Sequence, residues 1–523
     1  MRQRRGAATL VAAGILLSRL AGFVRDRFIA HYLGGTSEAA DAFRTALRIP
    51  NFLQNLFGEG VLSASFIPVY AGLLARDEQE EAGRVAGGVL AILTLVTSVL
   101  VLLGMLGTPL LVDVIAYGFH GAKRELTIRL VRIVFPGVGL LVISAWCLGV
   151  LNSHRRFFLS YSVGVVLNAA MLVALIWYGP RTSEERLTSV LAVAYVIGSA
   201  LQFAVQLPVV LRLIPGLRIR FGMHLENVRT VIRNFGPVFL SRGVVQISGF
   251  IDSMLASPVD GGVSMLGYVS NISVLPVSLF GMSVSASELP EMSRALGGDA
   301  EVAAYLRKRL VNGLRRITFL VVPSAVAFVA LGDQIIGAIY QTGKFTSADT
   351  ILGWSILAGA GVGLLASTQG RLYASTFYAL KDTRTPLRFA ILRIVLTTLL
   401  GYLCVRLVPG WLGVNARWGI AGLTASAGVS GWIEFLLLRR ALSRKIGAEP
   451  VGVAYLTRLW VVAALAAAAA WLLKVLAPLG HRPVPMAIAT LLPFGAVYLL
   501  LADPAQTRRL LSSRHGQSGS REG

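Results

Sequence analysis

Apolar residues recur along the chain in runs with a helical period, separated by short polar turns. Runs long enough to cross a bilayer of roughly 30 Å, at about 1.5 Å per residue, occupy 7–33, 39–73, 86–115, 128–152, 160–178, 188–211, 228–256, 262–293, 313–340, 350–376, 386–407, 416–438, 453–476 and 483–503. The pattern predicts an all-α polytopic membrane protein with about fourteen transmembrane helices. Within this apolar pattern, two segments break the rule by carrying charge in their interior.

The first segment contains Arg19, Arg25, Asp26 and Arg27. At about 100° per residue, Ser18, Gly22 and Arg25 fall on one stripe, with Arg19 and Asp26 on the stripe beside it. One side of this helix is polar. In the second segment Asp41, Arg44, Arg48, Asn51, Asn55 and Glu59 follow one another at three or four residues, a polar stripe of about five turns. Pro50 lies within it and predicts a kink near Leu47–Ile49, because it removes a backbone N–H and clashes with the preceding turn. Gly58 and Gly60 loosen the helix beyond that point.

A charge at the centre of a bilayer costs about 2.5–3.5 kcal/mol on insertion scales, so these groups face water or one another rather than lipid. The functional reading is a hydrated cavity with a net positive wall, suited to an anionic group held at membrane depth. The alternative is that Arg25–Arg27 and Asp41–Arg48 lie near helix ends and snorkel to the headgroups. Snorkelling accounts for Arg27 and Arg44 but leaves Arg19 and the Asn51–Glu59 part of the stripe unexplained. Further along, Arg242 and Asp252 fall inside the seventh segment, and Glu288 and Glu291 flank Pro290 at the end of the eighth. Asp252 is a candidate carboxylate for coupling to a cation, with a place at the outer interface as the other reading. Glu288 and Glu291 read as interfacial.

Composition agrees with the pattern: of 523 residues, 55% are hydrophobic and 14% charged, and the mean hydropathy is +0.69. Cys147 and Cys404 both sit in apolar runs and read as small buried hydrophobes, neither a disulfide framework nor a metal site. The net charge of +23 does not indicate a nucleic-acid partner, because Lys and Arg are scattered among short loops without interleaved aromatics. Placing the N-terminus in the cytoplasm puts roughly 29 Lys and Arg on that side against about 9 on the other. That placement puts 154–156, 212–233, 307–309, 381–388, 439–445 and 508–521 inside, so both termini are expected to be cytoplasmic. The opening MRQRR and the apolar run behind it resemble a signal peptide, but no small-residue cleavage site precedes Arg19, and the reading is an uncleaved first helix. The Ser/Gly/Arg-rich stretch after Asp503 reads as disordered.

A weak internal repeat has a period of about 225 residues. Gly137-Val138-Gly139-Leu140-Leu141 returns as Gly361-Val362-Gly363-Leu364-Leu365, Ser18-Arg19 as Ser241-Arg242, and Pro50 as Pro276. An even number of helices per copy gives the copies one orientation, with an axis along the membrane normal. The expected organisation is an N-lobe of six helices over 1–220, a C-lobe of six over 221–445, two additional helices over 446–505 and a tail over 506–523.

No catalytic or cofactor chemistry stands out. GAIYQTGK (337–344) has the wrong spacing for a phosphate loop, and Phe345 stands where Ser or Thr would bind Mg²⁺. The six histidines show no metal spacing, and no clustered nucleophile and base appear. Glycine pairs such as Gly359 and Gly363 fit close helix packing. The reading is a transporter without cofactor, driven by a cation gradient or the membrane potential.

The stretch Ser18-Arg19-Leu20-Ala21-Gly22-Phe23-Val24-Arg25-Asp26, with Asp41-Ala42-Phe43, Pro50-Asn51 and Phe57-Gly58-Glu59-Gly60, resembles the MurJ/MviN family of lipid II flippases. Gln341–Thr346 and Phe377-Tyr378-Ala379 with Asp382 and Thr385-Pro386 agree with it. The resemblance covers essentially the whole chain. It implies the MOP superfamily fold and alternating-access flipping of an undecaprenyl pyrophosphate-linked peptidoglycan precursor across the inner membrane. Arg19 and Arg25 match the family's first-helix cavity arginines, and Asp41 its second-helix aspartate. With them, Arg48, Asn51, Glu59 and Arg242 complete the candidate cavity, and Pro50 and Pro276 are the candidate hinges.

Departures from the family pattern are Gln54, where a basic residue is common, and Asn271 and Val274, where Arg and Glu are usual. Arg242, where an apolar residue is usual, is a candidate replacement for the lost positive charge. These departures keep open a flippase for another polyprenyl-linked glycan, such as O-antigen or exopolysaccharide. A drug/cation antiporter of the same superfamily would carry an acidic cavity instead, and a non-transporting scaffold would not need the buried polar stripe.

Overall fold

The computed structural model describes residues 2–214, 217–223, 225–294, 298–447, 451–476 and 482–503. Within its helices the side chains of residues 2–12, 59, 237, 240–242, 244, 245, 247, 248 and 299 lie outside that description. The candidate side chains of Glu59 and Arg242, and the tail after Asp503, therefore lie outside the described residues.

Every apolar run has a helical counterpart, and no strand occurs among the described residues. Among those residues 12 helices are long and apolar enough to cross a membrane. Two more helices, of 32 and 31 residues, are long enough for the same crossing and correspond to the first and seventh runs. The chain is an α-helical multi-pass membrane protein.

By internal contacts the chain forms two compact units, one of Met1–Ser264 with Thr342–Phe345 and one of Met265–Gln341 with Thr346–Gly523. The first holds α1 (Arg2–Leu33), α2 (Glu38–Phe57), α3 (Gln79–Leu106), α4 (Gly121–Ser153), α5 (Phe157–Arg181), α6 (Glu184–Leu213) and α7 (Glu226–Ala256). After α8 (Gly262–Ser293), which starts in the first unit, the second holds α9 (Asp299–Ala330), α10 (Ser347–Ala379), α11 (Arg384–Arg406) and α12 (Gly419–Ile446). Helices α13 (Val453–Leu476) and α14 (Pro483–Leu501) complete it. In this grouping α7 goes with the first six helices.

Where the helices break is set by local chemistry. Helix α2 runs unbroken through Leu47–Ile49 and Pro50 and stops about two turns later at Gly58. The chain then resumes as Glu59–Ser65 and Ile67–Ala75. Gly58 turns to ψ −152° while its N–H still bonds to the Gln54 carbonyl, and a Cβ there would lie 2.1 Å from that oxygen. Only glycine permits so close a backbone approach. Pro276 ends the first part of α8, and the wider π turn Val277–Met282 follows it.

Between helices in lipid, close packing replaces the hydrophobic effect as the cohesive term, which favours small residues at crossings. The repeated glycine string has that use in both units. In the first, a Cβ on Gly137 of α4 would stand 3.1 Å from the Val196 Cα of α6. In the second, a Cβ on Gly363 of α10 would stand 2.3 Å from the Gly428 Cα of α12. Below the break in α2, Leu62, Phe66 and Tyr70 build a dense core with Ala86, Trp146, Cys147 and Val210. The Trp146 indole donates to the Ala86 carbonyl at 3.1 Å, and Cys147 is a fully buried part of the apolar wall.

Candidate functional site: an arginine-lined cavity

The polar stripe of α1 faces α5. Gly22 and Ser18 lie against Asn168 and Gly164 of that helix, and the Asn168 amide donates to the Gly164 carbonyl at 2.9 Å. This leaves the Asn168 carbonyl oxygen to accept from Arg25 Nη1 at 2.8 Å. The next residue in sequence holds the rest of the guanidinium, since Nε and Nη2 of Arg25 lie 3.0 and 2.8 Å from Asp26 Oδ1. The other oxygen of Asp26 is 3.5 Å from Arg44 Nη1 of α2. Asp26 is buried to 2% exposure, whereas the Arg25 side chain keeps 19%.

Two guanidinium groups thus share one carboxylate, and the cluster carries one positive charge in excess. Arg25 has five N–H donors, and these contacts occupy three of them, so its orientation is set while donors remain for a ligand. The sequence places Asp26 on the polar side of α1; its role as the clamp between Arg25 and Arg44 needs the contact between α1 and α2.

Arg19, Arg25 and Asn51 line one cavity of about 450 Å³ within the first unit. Its walls also carry Ser18 and Gln54, Ser144 of α4, Ser160, Tyr161 and Asn168 of α5, and Tyr195, Gln202 and Gln206 of α6. Tyr195 donates its hydroxyl to Asn51 Oδ1 at 3.1 Å. Arg19 is largely exposed. The cavity joins a positive side on α1 to a neutral side of amides and hydroxyls on α4, α5 and α6.

Other parts of the α2 stripe point elsewhere. Asp41 is fully buried, and its oxygens accept from Lys123 Nζ at 2.7 Å, the Gly261 N–H at 2.9 Å and the Ser264 N–H at 2.8 Å. It ties α2 to α4 and to the first turn of α8, whose unsatisfied N–H groups favour an anion. Arg48 donates through Nη2 to the Gly249 carbonyl of α7, within electrostatic reach of Asp252, and Asn55 donates to Gln246 of α7 at 3.1 Å. Along its length the stripe serves five neighbours, α1, α4, α6, α7 and the start of α8.

In the second unit, Arg309 Nε lies 2.9 Å from Glu288 Oε2, and its Nη2 lies 3.4 Å from Glu291 Oε2. Between α11 and α12 an ion pair joins Arg393 to Glu434 at 3.3 Å. Asn271 is half-buried and Val274 is exposed. Lys123, Asn168, Tyr195, Gln202, Gln206, Arg393 and Glu434 are polar residues that the sequence reading passed over. For three of them a signal is present, because Asn168, Gln202 and Gln206 are amides within apolar runs.

The family described as Lipid II flippase MurJ matches residues 29–483 of the chain. A protein of Rhizobium tropici named "Probable lipid II flippase MurJ" is 33% identical over 83% of this chain and 80% of its own length. A "Lipid II flippase MurJ" of Burkholderia cenocepacia is 30% identical over 84% of each chain. Among solved structures, the inward closed conformation of a lipid II flippase MurJ superposes with a TM-score of 0.76 at 22% identity, over 96% of this chain and all 100% of that one. An inward-facing multidrug resistance MATE transporter of the MOP superfamily follows with 0.59 at 16% identity, over 82% of this chain and 100% of the other. Both structural likenesses concern the fold, while the family match and the sequence identities define the relationship: the chain belongs to the lipid II flippase MurJ family.

Proposed function

We propose that this protein moves lipid II from the inner to the outer leaflet of the bacterial cytoplasmic membrane, for peptidoglycan synthesis, by alternating access. It acts as a transporter and not as an enzyme. The observation that carries the reading is the Arg25 guanidinium, oriented by Asp26 and Asn168 with Arg19 in the same cavity. A pyrophosphate presents several charged acceptor oxygens, and arginine meets them with paired, charge-assisted hydrogen bonds in a site of low dielectric constant. The polyprenyl tail remains in lipid while the headgroup crosses.

Both termini lie in the cytoplasm in this reading, in line with the excess of Lys and Arg on that side. A cation gradient or the membrane potential drives the cycle, with Asp252 as the carboxylate for coupling. Asn51 belongs to the cavity side of α2, with Arg48 holding α2 to α7 and Asp41 fixing the helix in place. The flexible points for rocking are Pro50 with the Gly58 break in α2, and Pro276 with the π turn behind it in α8.

Binding tests the reading directly. In nanodiscs, the wild-type chain binds lipid II, and Arg25→Ala weakens binding at least about tenfold by removing charge-assisted contacts. Lipid II binding that is equal in the wild type, Arg19→Ala and Arg25→Ala would overturn it.

A further inference from the structure

One wall of the cavity contains a chain of hydrogen bonds that ends without a partner. Gln202 Nε2 donates to Ser144 Oγ at 3.2 Å, and Ser144 Oγ donates to Gln206 Oε1 at 2.6 Å. The Gln206 Nε2 group then has no hydrogen-bond partner among the described residues, although Gln206 is 0% exposed and lines the cavity. A buried N–H donor left unpaired costs about 1–3 kcal/mol, so a protein retains one where something accepts from it.

Position along the helices says what that something is. Helices α1 and α6 are an odd number of crossings apart, so they run in opposite directions. Tyr195 of α6 lines the cavity together with Arg25, and Gln202 and Gln206 follow about 10 and 16 Å further along α6. On α1, Arg19 lies about 9 Å from Arg25 toward the same end. The amide wall and the arginine wall therefore line one cavity, which also takes in the groups bonded directly to a pyrophosphate held by the arginines. Those groups in a lipid-linked glycan are sugars, whose hydroxyl and acetamido oxygens accept hydrogen bonds.

We propose that Gln202, Ser144 and Gln206 form a sugar subsite, in which the unpartnered Gln206 Nε2 and the remaining Gln202 N–H donate to acceptor oxygens of the glycan attached to the pyrophosphate. This rests on the arginine-cavity reading above and deepens it. The arginines hold the charge common to all polyprenyl pyrophosphates, and the amide wall distinguishes a glycan-bearing lipid from a bare one.

The test compares two probes, lipid II and sugar-free undecaprenyl pyrophosphate, on the full-length chain in nanodiscs. Gln206→Leu weakens lipid II binding about tenfold and leaves undecaprenyl pyrophosphate binding unchanged, whereas Arg25→Ala weakens both. Gln202→Leu, at a half-buried position, shows the same selective loss and decides the matter should Gln206→Leu fail to fold. Equal affinities of the Gln variants and the wild type for lipid II, or a parallel loss for both probes, would overturn the subsite. A wild-type chain that binds neither probe would instead remove the arginine-cavity reading on which the subsite rests.

Discussion

Lys123 Nζ stands 2.7 Å from Asp41 Oδ2, with side-chain exposures of 7% and 0%. Buried ion pairs of this kind add little net stability over an apolar pair, but removing one partner strands the other charge. Asp41 also receives two backbone N–H groups at the start of α8, so it is fixed from three sides. Lys123→Met is expected to lower stability by about 3–5 kcal/mol, and Asp41→Asn by a similar amount. The double variant should recover a large part of the loss, because it leaves no lone charge. Thermal unfolding of the detergent-solubilised protein measures this, and additive losses in the double variant would mean that the two charges act independently.

Arg25→Lys separates charge from geometry. Lysine keeps the positive charge but cannot hold Asp26 with two nitrogens while donating to Asn168 with a third. Arg25→Lys is therefore expected to lose most of the lipid II binding that Arg25→Ala loses, about tenfold or more. Near-normal binding by the lysine variant would show that net charge alone suffices.

The crossing of α10 and α12 has no room for a methyl group at Gly363, whose Cβ would come to 2.3 Å from the Gly428 backbone. Gly363→Ala should cost about 1–3 kcal/mol through overpacking, and Gly363→Val more. Gly431 of α12, where a Cβ meets nothing within 4 Å, is the control, and Gly431→Ala should fold normally. The yield of monodisperse protein after purification gives the comparison.

In the loop between α10 and α11, Asp382 accepts from the Thr385 N–H at 3.0 Å, from the Thr385 hydroxyl at 2.8 Å and from Lys445 Nζ. The Lys445 hydrogen bond, followed by the Thr385 backbone contact, holds its carboxyl below the usual carboxylate range. A depressed folded-state pKa means that this stabilisation is complete above the unfolded value of about 3.9 and is lost as the pH falls through the lower folded value. Asp382→Asn should therefore be less stable than the wild type at pH 7, with the gap closing below about pH 4. A gap that persists unchanged into acid would remove the ionised carboxylate from the explanation.

The fold was legible in the sequence because apolar runs of spanning length admit few structures in lipid, and each run became a helix. Arg19, Arg25 and Asn51 were legible too, since charged or amide residues deep in an apolar helix need a polar surrounding. Periodicity could not assign partners: the α2 stripe is one face on a helical wheel, yet Asp41 goes to α4 and α8, Arg44 to α1, Arg48 and Asn55 to α7, and Asn51 to α6. Each depends on which helix lies alongside at that depth. The loosening expected at Gly58 is an outright interruption of α2, because the Gly58 backbone leaves the helical region altogether, whereas α2 runs on through Pro50, where proline removes a single hydrogen bond. Gln202 and Gln206 carry the same signal as Asn51, but without a neighbouring charge on α6 the sequence does not say that they form one wall with Ser144 of α4.

Complementation tests the central claim, that an oriented Arg25 with Arg19 in the same cavity carries lipid II across the membrane. The resident lipid II flippase of a tractable bacterium is depleted while this chain is expressed, and lysis is followed together with the accessibility of lipid II at the outer leaflet. The account predicts rescue by the wild type and its loss with Arg19→Ala or Arg25→Ala at equal membrane expression. Rescue that survives both substitutions, or a well-expressed wild type that leaves lipid II at the inner leaflet, would contradict it.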